Sequence, residues 1–253
     1  MSEKVVYTAI ADRYDDLKPL PSRVRSSVIC IAFLDDATRD RISDPGGWII
    51  KSLVAPDPTP LYRAKRFKVL ADQVLPPGTE ESLWVDGSIR ISEELDIVRE
   101  FEDCLSFHDL ALFRHPRREC IYDEADVCVR LGLDEPSVIA RQIAGYRRAG
   151  YPESNGLAMA GIIFRRHSPR IGEFNAMWWS EIMEGSSRDQ LSLDPVSWRM
   201  GLQYNHLSSD RVGYESRDPG GNGFLVRPCG RIGFSQSVHV RGRGMGARTV
   251  RSG

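Results

Sequence analysis

Cysteine is scarce and shows no pairing pattern in this chain. Five residues (Cys30, Cys104, Cys120, Cys128, Cys229) are scattered over 253 positions, and none is spaced as Cys-x-x-Cys. That argues against a disulfide framework or structural zinc and favours a reducing compartment. No apolar run approaches the roughly 18–20 residues of a membrane span, so no transmembrane segment is expected. The opening stretch, MSEKVVYTAIADRYDD, lacks the apolar core of a secretory signal. A cytoplasmic setting is therefore expected, at most peripheral to the inner face of a membrane. Acidic residues are missing from Arg231 onward, where five arginines stand among glycines, so the near-neutral total of −1 hides a value of −6 up to Gly230. Such a tail can hold phosphates non-specifically. With no aromatic residue after Phe234 it lacks a base-stacking platform, and nucleic acid is disfavoured as a partner.

What the chain does have is alternation. KVVYTAI (Lys4–Ile10) and SVICIAFL (Ser27–Leu34) are rich in β-branched residues and almost uncharged, as strands covered on both faces are. Trp48–Leu53 is a third candidate. A helix is predicted over Leu61–Leu75 from Ala64, Phe67, Ala71 and Val74, stopped by Pro76-Pro77-Gly78. The strand around Trp84 comes next, then a helix with Ile97, Phe101, Cys104 and Leu105 on one face. A strand at Leu110–Phe113 and a helix on Ile121, Ala125 and Cys128 follow. Another helix starts at Pro136 with Asp134 or Glu135 as its cap, before a strand at Gly161–Arg165 and an apolar stripe of Phe174, Met177, Trp178 and Ile182. This alternation predicts one α/β domain over residues 1–213, a mostly parallel central sheet flanked by helices. Residues 214–253, with the DPGGNG loop and the Gly/Arg-rich end, are expected to form a partly disordered extension.

Reactive residues gather at the predicted strand ends, where open α/β sheets place their ligands. Asp86 closes the Trp84 strand and Gly87 follows it, a pattern that serves either a tight turn or a carboxylate ligand to a divalent cation. Asp35 ends the second strand, where it suits ribose hydroxyls or a simple turn. Thr8 and Ala9 end the first strand, and Tyr14 lies in the loop after it. Arg66 and Lys68, in a basic helix, suit a diphosphate, although their spacing keeps them off one helical face. His115, in HPRRECIYDE, is a candidate base or acceptor contact, with Arg117 beside it. In Ser187-Arg188-Asp189-Gln190, Asp189 and Gln190 offer hydrogen bonds to sugar hydroxyls, and Trp178 and Trp179 offer faces to sugar rings. A helix capped by Ser186 or Ser187, with Asp189 in its first turn, also explains the aspartate but leaves Gln190 with no role.

Taken in order, VYTAIADRYDDL, ICIAFLDD, RAKRFKVL, SLWVDGSI, HPRRECIYDEA, GYPESNGL, GIIFRRH and WWSEIMEGSSRDQLS run from Val5 to about Leu193. Together they resemble the TOD1/MUCI70 glycosyltransferase-like family. The resemblance implies a single GT-A-like domain that moves a sugar from a nucleoside-diphosphate sugar to a polysaccharide or glycolipid acceptor with Mn²⁺ or Mg²⁺. Asp86 would stand for the first aspartate of the family's metal motif and Ser88 for the second, with His206 as the late histidine of the metal shell. Arg66, Lys68, His115, Arg117, Arg188, Asp189 and Gln190 would surround the donor. Two rivals remain at this point: a metal-dependent hydrolase on the same scaffold, and a non-catalytic binding module with a basic tail.

Overall fold

The computed structural model describes residues 3–209 in full and the backbone of 212–216 and 234–238. The two charge-poor runs become β1 (Glu3–Ile10) and β2 (Ile29–Leu34). Side chains alternate across a strand, so each feeds two cores: Val5, Tyr7 and Ala9 enter one, Val6 and Ile10 the other. β1 pairs in parallel with β2 and with β4 (Thr79–Val85), and β2 pairs in parallel with β3 (Ile49–Ser52). β7 (Ala158–Arg166) runs against β4 and against β6 (Leu110–Arg114), which is itself parallel to β8 (Asn205–Leu207). The sheet order is β3-β2-β1-β4-β7-β6-β8. The expected mostly parallel sheet is present, with β7 as its reversed strand. An apolar run covered on both faces reads alike in either direction.

One face is covered by α3 (Pro60–Val69), α8 (Pro169–Glu184) and α9 (Gln190–Met200), the other by α1 (Ser22–Arg25) and α5 (Ile97–Cys104). α6 (Ile121–Arg130) and α7 (Pro136–Arg148) make a satellite cluster that reaches Leu191. The long helix expected over 61–75 is two helices, because α3 ends at Leu70 (φ −92°, ψ 51°) and α4 (Ala71–Val74) begins anew. At this break the Tyr7 hydroxyl donates to the carbonyl of Lys68 (3.3 Å), one of the last-turn acceptors that a helix end leaves open. A second, small sheet joins β5 (Ile89–Ile91) to β10 (Phe234–Val238) and β9 (Val212–Ser216). Those two strands are the described part of the C-terminal stretch; the rest of 214–253 lies outside the described residues.

The chain fills β1, β2 and β3 in one direction and then places β4 on the other side of β1. Loops leaving β1 and β4 therefore diverge, and the crevice outside their carboxyl ends is where such sheets bind ligands.

Candidate active site

Asp86 lies one residue beyond β4, in that crevice. Its amide donates to the carbonyl of Gly161 on β7 and its own carbonyl accepts from the Ile89 amide, both at 2.9 Å, so the turn is held at each end. Gly87 is required there by space: a Cβ would stand 2.8 Å from Asp15 and 2.9 Å from Ile10. The Oδ1 of Asp86 accepts from the indole of Trp84 (2.7 Å) and from the ammonium of Lys68 (3.1 Å). Lys68 also lies 2.7 Å from Oδ2 of Asp189, a close charge contact outside hydrogen-bond geometry. Lys65 donates to the other oxygen of Asp189 at 2.8 Å. Lys65 and Lys68 are three apart on α3, the spacing that puts two side chains on one face.

Asp189 stands at the head of α9, but its side chain makes no capping bond. Its carbonyl is held instead, by the Trp178 indole at 3.0 Å. The preceding loop is pinned by Asp134, whose Oδ2 accepts from the Ser186 hydroxyl and the Ser187 amide, each at 2.7 Å. Asp134 is thus spent on the loop, and Glu135 occupies the cap position of α7 without a side-chain bond.

Lys65, Lys68 and Asp189 are all buried. Burial pushes the Asp189 carboxyl up, yet Lys65, Lys68 and Arg188 outweigh it and hold the group far below the usual carboxylate range. Burial pulls Lys68 down, but Asp189 and Asp86 together raise it. Among the described residues Lys65 pairs with Asp189 alone, and burial leaves it lowered. Lys65, Lys68 and Arg188 face Asp86 and Asp189, and Glu124, which also acts on Arg188, is paired with Arg118, so one positive charge is left over beside the amino end of α9. Such a place suits an anion.

The other predicted residues are distributed as follows. Arg66 points away from the cluster, paired with Asp57 through Nε (2.5 Å) and a terminal nitrogen (3.0 Å), its guanidinium 4.8 Å above the Trp179 ring. Trp178 is fully buried in the core, so it is no platform for a sugar. Thr8 and Ala9 are buried at the end of β1, and the Thr8 hydroxyl has no hydrogen-bond partner among the described residues. Asp35 caps α2 (Asp36–Arg39) through the Thr38 amide (3.0 Å) and also accepts from the Asp12 amide (2.8 Å). Its carboxylate therefore shapes the loop after β1, in which Tyr14 is exposed. Asp35 also borders a cavity of about 500 Å³ lined by Leu34, Ser52, Leu53, Val54 and Arg63, between the ends of β2 and β3 and helix α3.

Arg188 is half-buried, with Asp189 the chief charge raising it against burial. Gln190 keeps a buried amide nitrogen with no partner among the described residues. His115 is turned into its own loop: Nδ1 accepts from the amides of Arg118 (2.9 Å) and Arg117 (3.2 Å), and Nε2 contacts the Arg118 guanidinium. Burial, with Arg118 and Arg117 adding to it, lowers this histidine to about 4. It follows β6, two strands from β4, or about 10 Å at ordinary strand spacing, and the Arg117 side chain is exposed.

The metal shell expected from Asp86, Ser88 and His206 is not brought together. His206 lies on β8, three strands from β4, about 14 Å away by strand spacing, and its ring packs at a tilt against that of Tyr204. Ser88 sits in the turn after Asp86. Among the described residues no three His, Cys, Asp or Glu side chains are grouped to hold a metal ion. Asp86, the remaining ligand, already shares an oxygen with Lys68. These residues do not fit a divalent cation held by the protein.

Lys65 carried a legible signal, its three-residue step to Lys68, and Trp84 shares a strand face with Asp86 two residues on. Gly161 carried none, since only strand pairing brings it beside Asp86.

The surroundings of this site can be set beside known proteins. The chain is 24% identical over 235 residues to a protein of Arabidopsis thaliana named probable hexosyltransferase MUCI70, across 85% of this chain and 40% of that one. It thus spans less than half of that relative's length. Its fold is similar to that of mouse xyloside xylosyltransferase 1 in the apo form, with a TM-score of 0.51 over 92% of this chain and 96% of the other, at 9% identity. That likeness is one of architecture, the GT-A-like arrangement, and says nothing by itself of substrates. The description of the TOD1/MUCI70, glycosyltransferase-like domain matches residues 1–209. A match over most of the chain, on a sheet whose switch point carries the Lys–Asp cluster, places this protein in the TOD1/MUCI70 glycosyltransferase-like family.

Proposed function

We propose that the protein transfers a sugar from a nucleoside-diphosphate sugar to a hydroxyl of a glycan or glycolipid acceptor. The observation that carries this reading is the charge-balanced Lys65–Lys68–Asp86–Asp189 cluster at the β1/β4 switch point, with the Arg188 guanidinium adding positive charge beside it. The nucleoside would lie toward the cavity by Asp35 and Arg63, and the diphosphate over Lys65 and Lys68. The Gln190 amide nitrogen, which has no partner among the described residues, would meet a donor-sugar hydroxyl.

In the transfer, the acceptor oxygen forms a bond to the anomeric carbon as that carbon's bond to the β-phosphate oxygen breaks. The electron pair leaves with the diphosphate, and fixed positive charge lowers the barrier by meeting the charge that develops there. Asp86 and Asp189 both hold ammonium groups, so the base this arrangement leaves for the acceptor's proton is the departing diphosphate. Asp189 is a positioning residue for the lysines. The Mn²⁺ or Mg²⁺ that the resemblance implies meets a site already filled by Lys68, and no step here passes through a metal.

The test is to incubate the protein with UDP- and GDP-sugars and oligosaccharide acceptors, and to follow nucleotide and sugar products by mass spectrometry. Acceptor-dependent release of nucleoside diphosphate, with a mass gain on the acceptor, is expected. Release of free sugar at full rate without acceptor would mean hydrolysis and would overturn the proposal.

A further inference from the structure

We infer that Lys68, seated between Asp86 and Asp189 with Lys65 behind it, takes the part of the divalent cation, so that a nucleoside diphosphate binds here without metal. The inference rests on the transferase reading above and says what supplies its positive charge.

Three observations carry it. Lys68 is 6% exposed, with its ammonium 3.1 Å from one carboxylate and 2.7 Å from the other. That is the bridging position an ion between two aspartates would occupy. Next, the Asp86 carboxylate, whose side chain is 31% exposed, already has one oxygen committed. Oδ1 holds both Lys68 and the Trp84 indole, and Oδ2 faces Gly161, where even a Cβ would stand 3.2 Å away. A divalent ion bound to Oδ1 at about 2.1 Å would lie within about 5 Å of the Lys68 ammonium and be repelled by it. Finally, Lys65, Lys68 and Arg188 exceed Asp86 and Asp189 by one positive charge, since the nearby Glu124 is paired with Arg118. Two lysines on one face of α3 provide several N–H donors, which a diphosphate's oxygens can share.

Asp86 then acts as a positioning residue. Its Oδ1 orients Lys68, and the negative charge it adds is not itself needed by the nucleotide. This sets the two accounts apart at one side chain. An asparagine at 86 keeps an oxygen for Trp84 and Lys68 but is a poor metal ligand.

The experiment is calorimetric titration of UDP and GDP into the full chain, in excess EDTA and again with MnCl₂. Wild type, Asp86→Asn and Lys68→Met are compared, each checked for folding by circular dichroism. The expected result is a Kd in EDTA within about threefold of that with Mn²⁺, still measurable and within about tenfold in Asp86→Asn. Lys68→Met should weaken binding more than about tenfold in both buffers. Should Lys68→Met fail to fold, the EDTA comparison on wild type and Asp86→Asn still decides. Binding seen with Mn²⁺ alone and lost in Asp86→Asn would overturn the inference while leaving the transferase reading standing. No binding of either nucleotide in either buffer, from folded wild type, would overturn both.

Discussion

Replacing Asp189 by asparagine should be among the most damaging single changes in the site. The substitution keeps shape and volume but leaves Lys65 and Lys68 buried against a neutral amide, with Lys65 deprived of the carboxylate 2.8 Å away. Removing one partner of a buried ion pair costs about 3–5 kcal/mol, because the remaining charge stays desolvated and uncompensated. That is a large share of the about 5–15 kcal/mol by which domains are stable. At about 2–4 °C per kcal/mol for a chain of this size, the midpoint should fall by about 6–20 °C. The assay is equilibrium urea unfolding of wild type, Asp189→Asn, Lys65→Met and the double variant.

Removing Lys65 as well takes away one uncompensated ammonium, so the double variant should recover about 1–3 kcal/mol relative to additivity. The pH dependence has a definite sign. A carboxyl held low in the folded state stabilises it above the unfolded pKa of about 3.9, and that contribution is lost as pH falls below it. The variant's deficit should therefore shrink in acid. A cost below about 1 kcal/mol at neutral pH, or strict additivity in the double variant, would refute the picture of a buried, mutually dependent cluster.

Two further outcomes follow from neighbouring residues. Gly161→Ala puts a Cβ 3.1 Å from Ile89 and 3.2 Å from Asp86 Oδ2. It should cost about 1–3 kcal/mol by crowding and weaken nucleoside diphosphate binding several-fold by moving Asp86, read by urea unfolding and calorimetry together. Asp194 on α9 is buried and accepts from the Ala158 amide (2.8 Å) and the Tyr204 hydroxyl. Burial raises its carboxyl to about 6 despite both bonds. A raised carboxyl binds its proton more tightly in the folded state, so its contribution is favourable below the unfolded pKa and is lost as pH climbs through about 6. Asp194→Asn should then gain on wild type by up to about 3 kcal/mol at pH 8 and by nothing near pH 4. Parallel urea curves at both pH values with no change in the difference would contradict the assignment.

Much of the site could be read from residue order alone, because its parts sit at strand ends that composition marks. Asp86 after an apolar strand, Lys68 in a basic helix and Asp189 before a helix were all visible as chemistry. Their partners were not. Lys65 and Asp189 are 124 residues apart, and no local pattern says that α3 and the head of α9 meet. Arg66 and Lys68 looked equivalent, and the direction of the helix face decided between them, sending Arg66 to Asp57 and Lys68 to the carboxylates. His115 was expected to face a substrate, but two backbone amides of its own turn claim its ring.

The sequence by itself determined the alternation of strands and helices, the two-faced burial of the sheet and the ordered blocks that mark the family, since these depend on short-range periodicity. Tertiary structure alone decided that β7 runs backwards, that the Tyr7 hydroxyl reaches the Lys68 carbonyl where α3 ends, and that an ammonium lies between Asp86 and Asp189. The physical reason is the same in each case. Strand direction, the capture of a backbone carbonyl and the pairing of buried charges are settled by groups far apart in the chain, which compete for one another only once the two cores have closed.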